Sequence, residues 1–252
     1  MVFVPIQRFL LQWTEKLAEL PYQMWVGGAI SVTVMGGITL SILYAFIALE
    51  RKQWKRAIFV FVIPFLLLES RPYWNDELVV TFIDVGQGDS ILIELTHRQG
   101  VYLVDTGGVL RYEQKEAWKE RQSLYEVGRQ VVVPLLKAKQ MTTLDTLFVT
   151  HADSDHMEGA DEVIERVSTK LIVYPPESER KELMAELLNL ADERKIAHQP
   201  ITAPKQWQVG KTTFRLLWPH QDAVITDDND RSLVLEIIHG EYTILLMGDL
   251  EE

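Results

Sequence analysis

There is no cysteine anywhere in the 252 residues. That excludes disulfides and thiolate metal sites, leaves the redox compartment open, and means any metal site must be built from His, Asp and Glu. Basic charge is also scarce: 25 Lys and Arg stand against 36 Asp and Glu, a formal net charge of −11. Broad non-specific nucleic-acid binding rests on Lys and Arg at phosphates, so this balance argues against it, though not against a local basic groove. The basic start and small-residue cleavage site of a secretory signal peptide are missing as well. The length leaves room for one sizeable domain plus something smaller.

What is present divides into two unlike parts. Residues 26–49 (VGGAISVTVMGGITLSILYAFIAL) carry no charge, a run longer than the roughly 20 residues that cross a bilayer as a helix. Gly27, Gly28, Gly36 and Gly37 are small enough to let another helix approach. A basic loop follows (ERKQWKRA, 50–57), then a second apolar run, 57–68, that is short for a span and interrupted by Pro64. Two crossings are expected over 26–70. The basic loop then marks the cytoplasmic side by the positive-inside rule, and the chain from about residue 71 lies outside the cytoplasm. Over residues 4–20, Ile6, Phe9, Leu10, Trp13, Leu17 and Leu20 recur at helical spacing until Pro21. Residues 1–25 are therefore expected to hold an amphipathic helix on the membrane surface.

From residue 71 the apolar runs become strand-like, at 78–85, 90–95, 101–104, 146–150, 171–174, 213–218, 232–238 and 242–247. Helical segments fall near 122–139, 158–168 and 177–195, so an α/β or layered architecture is expected over 71–252. Two stretches share one plan: 88–108 (GDSILIELTHRQGVYLVDTGG) and 229–249 (NDRSLVLEIIHGEYTILLMGD). Each has an Asp shortly before a Ser, a strand, a turn with Gly, a second strand, and an Asp–Gly corner. That plan suggests two related halves, each ending a hairpin with a carboxylate near the same edge.

The densest chemistry is THADSDHMEG, residues 150–159, directly after an apolar run. His151 and Asp153 are two apart and point the same way on extended chain. Asp155 and His156 follow as the chain turns into a helix. One turn can thus offer ligands to two adjacent cations, one at His151 and Asp153, the other at Asp155 and His156. Two such cations can acidify a shared water and stabilise an oxygen that gains negative charge. A sulfur-free His and carboxylate set fits zinc, manganese or iron, and its carboxylate share tilts toward manganese.

The motif resembles the metallo-β-lactamase signature His-x-His-x-Asp-His, with Asp153 in place of the second His. With DVGQGDS (84–90), LVDTGG (103–108), VVPLL before the metal turn and NDRSLVL (229–235), the chain resembles the ComEC family of competence DNA-uptake proteins. The resemblance covers essentially the whole chain, and the order of apolar helices and basic loop agrees with it. It implies an αββα sandwich with two divalent metal ions, zinc or manganese. The domain would act as a phosphodiesterase on single- or double-stranded DNA outside the cell membrane, degrading one strand while the other is imported with other competence proteins. Residue by residue it implies metal ligands His151, Asp153, Asp155, His156 and a bridging Asp249. Asp155 would also serve as the catalytic group that holds the attacking water. Asp84 and Asp89 are placed near the site by the same resemblance, and the acidic run 227–230, with Asp230, is a candidate to line it.

Two departures bear on this reading. The superfamily's further His between the metal turn and the bridging Asp has no clear match in His198 or His220, and its last His would lie beyond residue 252. A truncated, weak or inactive fragment is therefore expected. Two alternatives stay open: another hydrolase of the same fold acting on esters or thioesters, and a non-catalytic channel or docking module.

Overall fold

Residues 26–108, 126–223, 225 and 227–250 are described by a computed structural model of the chain. The amphipathic pattern of residues 1–25 lies outside the described residues, as do positions 122–125 of the helical segment expected near 122–139.

The apolar runs form a helical hairpin, α1 (Val32–Glu50) and α2 (Trp54–Ser70). Ser31 caps α1 by accepting a hydrogen bond from Val34 N, 3.4 Å away. By length and composition, α1 and the longer helical run Trp54–Trp74 that contains α2 are able to cross a membrane. They meet through the buried Ala45, Ala48 and Ala57, while Leu40, Phe46, Phe59 and Leu66 stand exposed. Nothing among the described residues approaches Gly36 or Gly37 within 4 Å of an added Cβ, so alanines make the close contact. Pro64 does not break α2 either. Its missing N–H frees the carbonyl four residues back, and that carbonyl, on Val60, accepts a hydrogen bond from the Ser41 hydroxyl of α1. A neighbouring helix's Ser or Thr is the usual remedy for such a proline in an apolar setting.

Beyond a short 3₁₀ turn (Arg71–Trp74) the chain builds two sheets. The first runs in the order β1 (Val79–Phe82), β2 (Ile91–Glu94), β3 (Val101–Val104), β5 (Thr146–Phe148), β7 (Leu171–Tyr174), β8 (Ala197–Pro200). Strands β1 to β3 are antiparallel, and β3, β5, β7 and β8 are parallel. The second sheet is antiparallel, in the order β12 (Tyr242–Leu246), β11 (Val234–His239), β10 (Thr212–Trp218), β9 (Lys205–Val209). A two-residue pair, β4 (Thr143–Leu144) with β6 (Ser168–Thr169), flanks the first sheet.

Period-2 alternation splits the core into two. Leu92, Leu103, Leu147 and Ile172 face one way, toward Val132, Val163, Ile164, Met184 and Leu187. These last come from a π-helical turn (Gly128–Val132) leading into α3 (Val133–Ala138), from α5 (Ala160–Arg166), and from α6 (Glu182–Glu193). Ile91, Ile93, Tyr102, Val104 and Phe148 face the other way, onto Phe214, Leu216, Leu235 and Ile237 of the second sheet. The layers are therefore α/β/β. Among the described residues no helix covers the outer face of the second sheet, where Leu217 and Leu245 are exposed, so three of the four layers of the expected αββα sandwich are present.

Candidate metal centre

The parallel strands end together, and their ends carry the chemistry. Asp105 directly follows β3, His151 is the third residue past β5, and the short helix α4 (Ser154–Met157) turns the chain back. Asp105 sits at φ 56, a left-handed conformation that Asp tolerates better than most residues. Its buried carboxylate accepts hydrogen bonds from Thr150 N (2.7 Å) and Thr150 Oγ1 (2.6 Å). The same Oδ2 lies 3.0 Å from His156 Nδ1.

These bonds fix both imidazoles. Asp105 can only accept, so His156 Nδ1 carries a proton, and Nε2 offers its lone pair when the ring is neutral. The Thr150 hydroxyl spends its proton on Asp105 and can then accept from His151 Nδ1, 3.1 Å away. Ser232 Oγ lies 3.3 Å from the same nitrogen. Both Nε2 atoms are buried and have no hydrogen-bond partner. One ring nitrogen of each histidine and a carboxylate oxygen of Asp249 lie within 4.8 Å of one another. Asp249 Oδ1 is 3.3 Å from His156 Nε2, an ion-pair distance without hydrogen-bond alignment. Two partnerless ring nitrogens beside a carboxylate are a ligand set for a divalent cation that displaces the extra proton of His156, and the carboxylate–imidazole bond behind His156 is the usual outer support of such a ligand.

Protonation follows the same field. Burial alone would lower the His156 pKa, but the hydrogen bond and charge of Asp105, with Asp249 and Asp155, outweigh it and raise the pKa to about 9. His151 is pushed down by burial and by His156 beside it. Asp89 is pushed up by burial, and the charges that act on it are His156, Asp105, Asp249 and His151. The pocket thus favours one positive charge, which a proton on His156 supplies and a metal ion would replace.

Glycines press the supporting loops onto the metal turn. A Cβ on Gly88 would lie 1.7 Å from the Asp155 carbonyl oxygen, and one on Gly108 would lie 1.8 Å from the Ser154 carbonyl oxygen. Gly107 N donates to Asp89 O at 2.8 Å, and Thr106 N donates to His156 O at 2.7 Å. The DVGQGDS and LVDTGG stretches are thereby locked around HADSDH. The two look-alike stretches form the β2–β3 and β11–β12 hairpins of opposite sheets. Each uses its serine to tie the carboxylate corner: Ser90 Oγ donates to Asp105 O (3.1 Å), and Asp249 N donates to Ser232 Oγ (3.2 Å). His156 lies between the two carboxylates.

The remaining expected residues are placed less centrally. Asp153 Oδ2 is 3.9 Å from His151 Nε2, while its other oxygen faces Lys181 Nζ at 3.4 Å. Asp155 is half-buried beside His156 and outside the converging group. Asp84 accepts from Gly86 N and also stands outside that group. So does Asp230, whose carbonyl accepts from Trp218 Nε1 at 2.6 Å. From the acidic run it is Asp228 that reaches the rim, 2.5 Å from Lys181 Nζ. His198 is spent on Asp192 (3.0 Å), and His220 packs edge-on to Trp218 at 5.6 Å. Neither supplies a further imidazole, so a second cation would depend on Asp153, Asp155 and Asp249. Sequence reasoning missed Asp105, Thr150, Ser232 and Lys181. The shared plan of the two hairpins was the signal for Asp105, since it pairs that corner with Asp249.

Residues 83–252 match the Metallo-beta-lactamase superfamily. The chain is 34% identical over 186 residues to ComE operon protein 3 of Bacillus subtilis, covering 74% of this chain and 24% of the relative. It is 30% identical over 177 residues to Competence protein ComA of Neisseria gonorrhoeae, covering 70% and 20%. Recombination protein 2 of Haemophilus influenzae is 26% identical over 182 residues, covering 72% and 19%. The chain therefore spans about a quarter or less of the length of these curated relatives.

Proposed function

The chain belongs to the metallo-beta-lactamase superfamily, and from that premise we propose that it is the divalent-metal-dependent phosphodiesterase module of a membrane protein of competence DNA uptake. The relative named as a competence protein supports the setting. The observation that carries the chemistry is the convergence of two orphaned Nε2 atoms with the Asp249 carboxylate.

His151, His156 and Asp249 would hold a zinc or manganese ion, with Asp153 and Asp155 available to a second. A bound cation supplies Lewis-acid stabilisation of a phosphoryl oxygen and acidifies water at neutral pH. The protein's own groups do the rest. Asp105 and Thr150 hold the two imidazoles in the ligating tautomer. Asp155 orients the attacking water and takes its proton as the new phosphorus–oxygen bond forms. The leaving sugar oxygen departs as its own phosphorus–oxygen bond breaks and takes a proton from solvent. Access is through the groove beside Asp153, Asp155 and Lys181, where Lys181 presents a cation to a phosphate.

The two apolar helices fit a multi-pass membrane placement. Their basic turn lies at the end of the hairpin away from the sheets, so a cytoplasmic turn puts the metal domain on the extracytoplasmic side.

The test is hydrolysis by the metal-loaded chain of a fluorescent single-stranded DNA, beside an aryl ester and a thioester. Cleavage of the DNA that chelator abolishes supports the reading. Turnover of the ester or thioester alone points to the other hydrolases of this fold, and no turnover of any of them favours a docking module.

A further inference from the structure

The opposite end of the first sheet carries a cluster the metal chemistry does not use. There the helical hairpin is fastened to the domain: Ala29 N donates to Ala138 O at 2.7 Å, and Gln140 Nε2 donates to Leu68 O at 3.4 Å. Between the helix ends and the strand ends lies a cavity of 210 Å³, whose charged lining is Arg71, Arg98, Lys139 and Glu94. Three cations against one acid is a local excess of positive charge in a chain of net charge −11. Lys139 is paired with Glu94 at 2.5 Å. Arg98 donates to the Gln140 carbonyl and stacks on Tyr73, 5.7 Å from its ring centre. Arg71 makes no ion pair among the described residues and is exposed.

The order along the chain sets the level of this cavity. Leu66 and Leu67 of α2 are exposed as lipid-facing residues would be, Arg71 follows within a turn, and Tyr73 and Trp74 are exposed after it. Aromatic residues just past an apolar helix mark the headgroup layer of a bilayer, and an Arg or Lys at that level can hold a lipid phosphate by charge-assisted hydrogen bonds.

We propose that the cavity between Arg71, Arg98 and Lys139 binds the phosphate of an anionic phospholipid headgroup, seating the domain on the membrane. A zwitterionic headgroup would bring its own cation into an already positive lining, so anionic lipid is favoured. Exposed helix faces beside the cavity give acyl chains a surface that free phosphate does not need. Strand β3 joins the two sites, with Val101 at the cavity and Asp105 at the metal centre, about 13 Å apart at strand rise. A lipid seated at one end therefore holds the catalytic end away from the bilayer. This inference rests on the membrane placement of α1 and α2.

The test is native mass spectrometry of the full chain in zwitterionic detergent, titrated with phosphatidylglycerol or phosphatidylcholine. It compares the wild type with Arg71→Gln and Arg71→Glu, since the Arg71 side chain makes no ion pair among the described residues. The wild type should retain phosphatidylglycerol preferentially. Arg71→Gln should weaken it about fivefold, the weight of one basic residue at an anionic surface, and Arg71→Glu should weaken it further. Millimolar inorganic phosphate should displace little of it. Equal retention of both lipids, unchanged binding in Arg71→Glu, or full displacement by phosphate would overturn the proposal. A chain that fractionates with membranes yet shows no headgroup preference defeats this inference alone. A chain recovered free of membranes defeats the membrane placement with it.

Discussion

Asp105 Oδ2 lies 3.0 Å from His156 Nδ1, with both side chains buried. The contact turns the far nitrogen of His156 toward Asp249 and His151, so a residue at the end of β3 sets the geometry of a ligand on α4.

Replacing Asp105 by Asn keeps the shape but turns an acceptor into a donor toward His156. Metal affinity should fall by about 10- to 100-fold, as for other outer supports of metal ligands. Competition with a chelating indicator measures it, with circular dichroism to confirm that the fold is retained. Unchanged affinity would remove Asp105 from the account.

Gly88→Ala is expected to be worse for the site than its size suggests. The residue has φ +67, and its new Cβ would sit 1.7 Å from a backbone oxygen of the metal turn. That oxygen cannot swing aside as a side chain would, so Asp155 and its neighbours must move. Loss of metal binding and about 1–3 kcal/mol of stability should follow in chemical denaturation. A variant with wild-type metal affinity would show that the turn is not held by this contact.

Alkaline stability should reflect Tyr102, packed between Phe148 and Phe214. Burial, and then the charge of Asp145, pushes its phenol up to about 12, above the ordinary phenol value of about 10. A raised folded pKa means the stabilisation is complete below pH 10 and is lost as pH climbs through 12. The slope is about 1.4 kcal/mol per pH unit over that window. Tyr102→Phe should remove this part of the alkaline loss in denaturant titrations at stepped pH, and an identical slope in both proteins would contradict it.

Much of the sheet pattern was legible because the buried strands are short apolar runs: Ile91–Glu94, Val101–Val104 and Leu171–Tyr174 fall inside expected segments. Strands β8 (Ala197–Pro200) and β9 (Lys205–Val209) did not register. Their sequences, AHQP and KQWQV, are largely exposed edges with little apolar signal. The metal turn could be read because its donors are adjacent in sequence. Asp105 lies 51 residues from His156, and spacing alone does not reveal a partner that only the parallel β3–β5 pairing brings close. Lys181 was invisible for the same reason: it meets Asp153 only after α6 has folded back beside the turn.

Within the turn, Asp155 and Glu158 should behave differently. Asp155→Asn should keep the fold and cost about 10²-fold or more in phosphodiester hydrolysis, the usual loss for a group that handles the proton of an attacking water. Glu158→Gln should change the rate little. Equal losses would refute the role given to Asp155.

The central claim is that His151, His156 and Asp249 hold a divalent metal ion, and zinc or manganese titration of the purified chain tests it most directly. Calorimetry on metal-free wild type, Asp249→Asn and His151→Gln should show saturable binding of at least one ion per wild-type chain. Affinity should be severely reduced in both variants while their thermal unfolding stays cooperative. No binding by the wild type, or equal binding by all three proteins, would contradict the account.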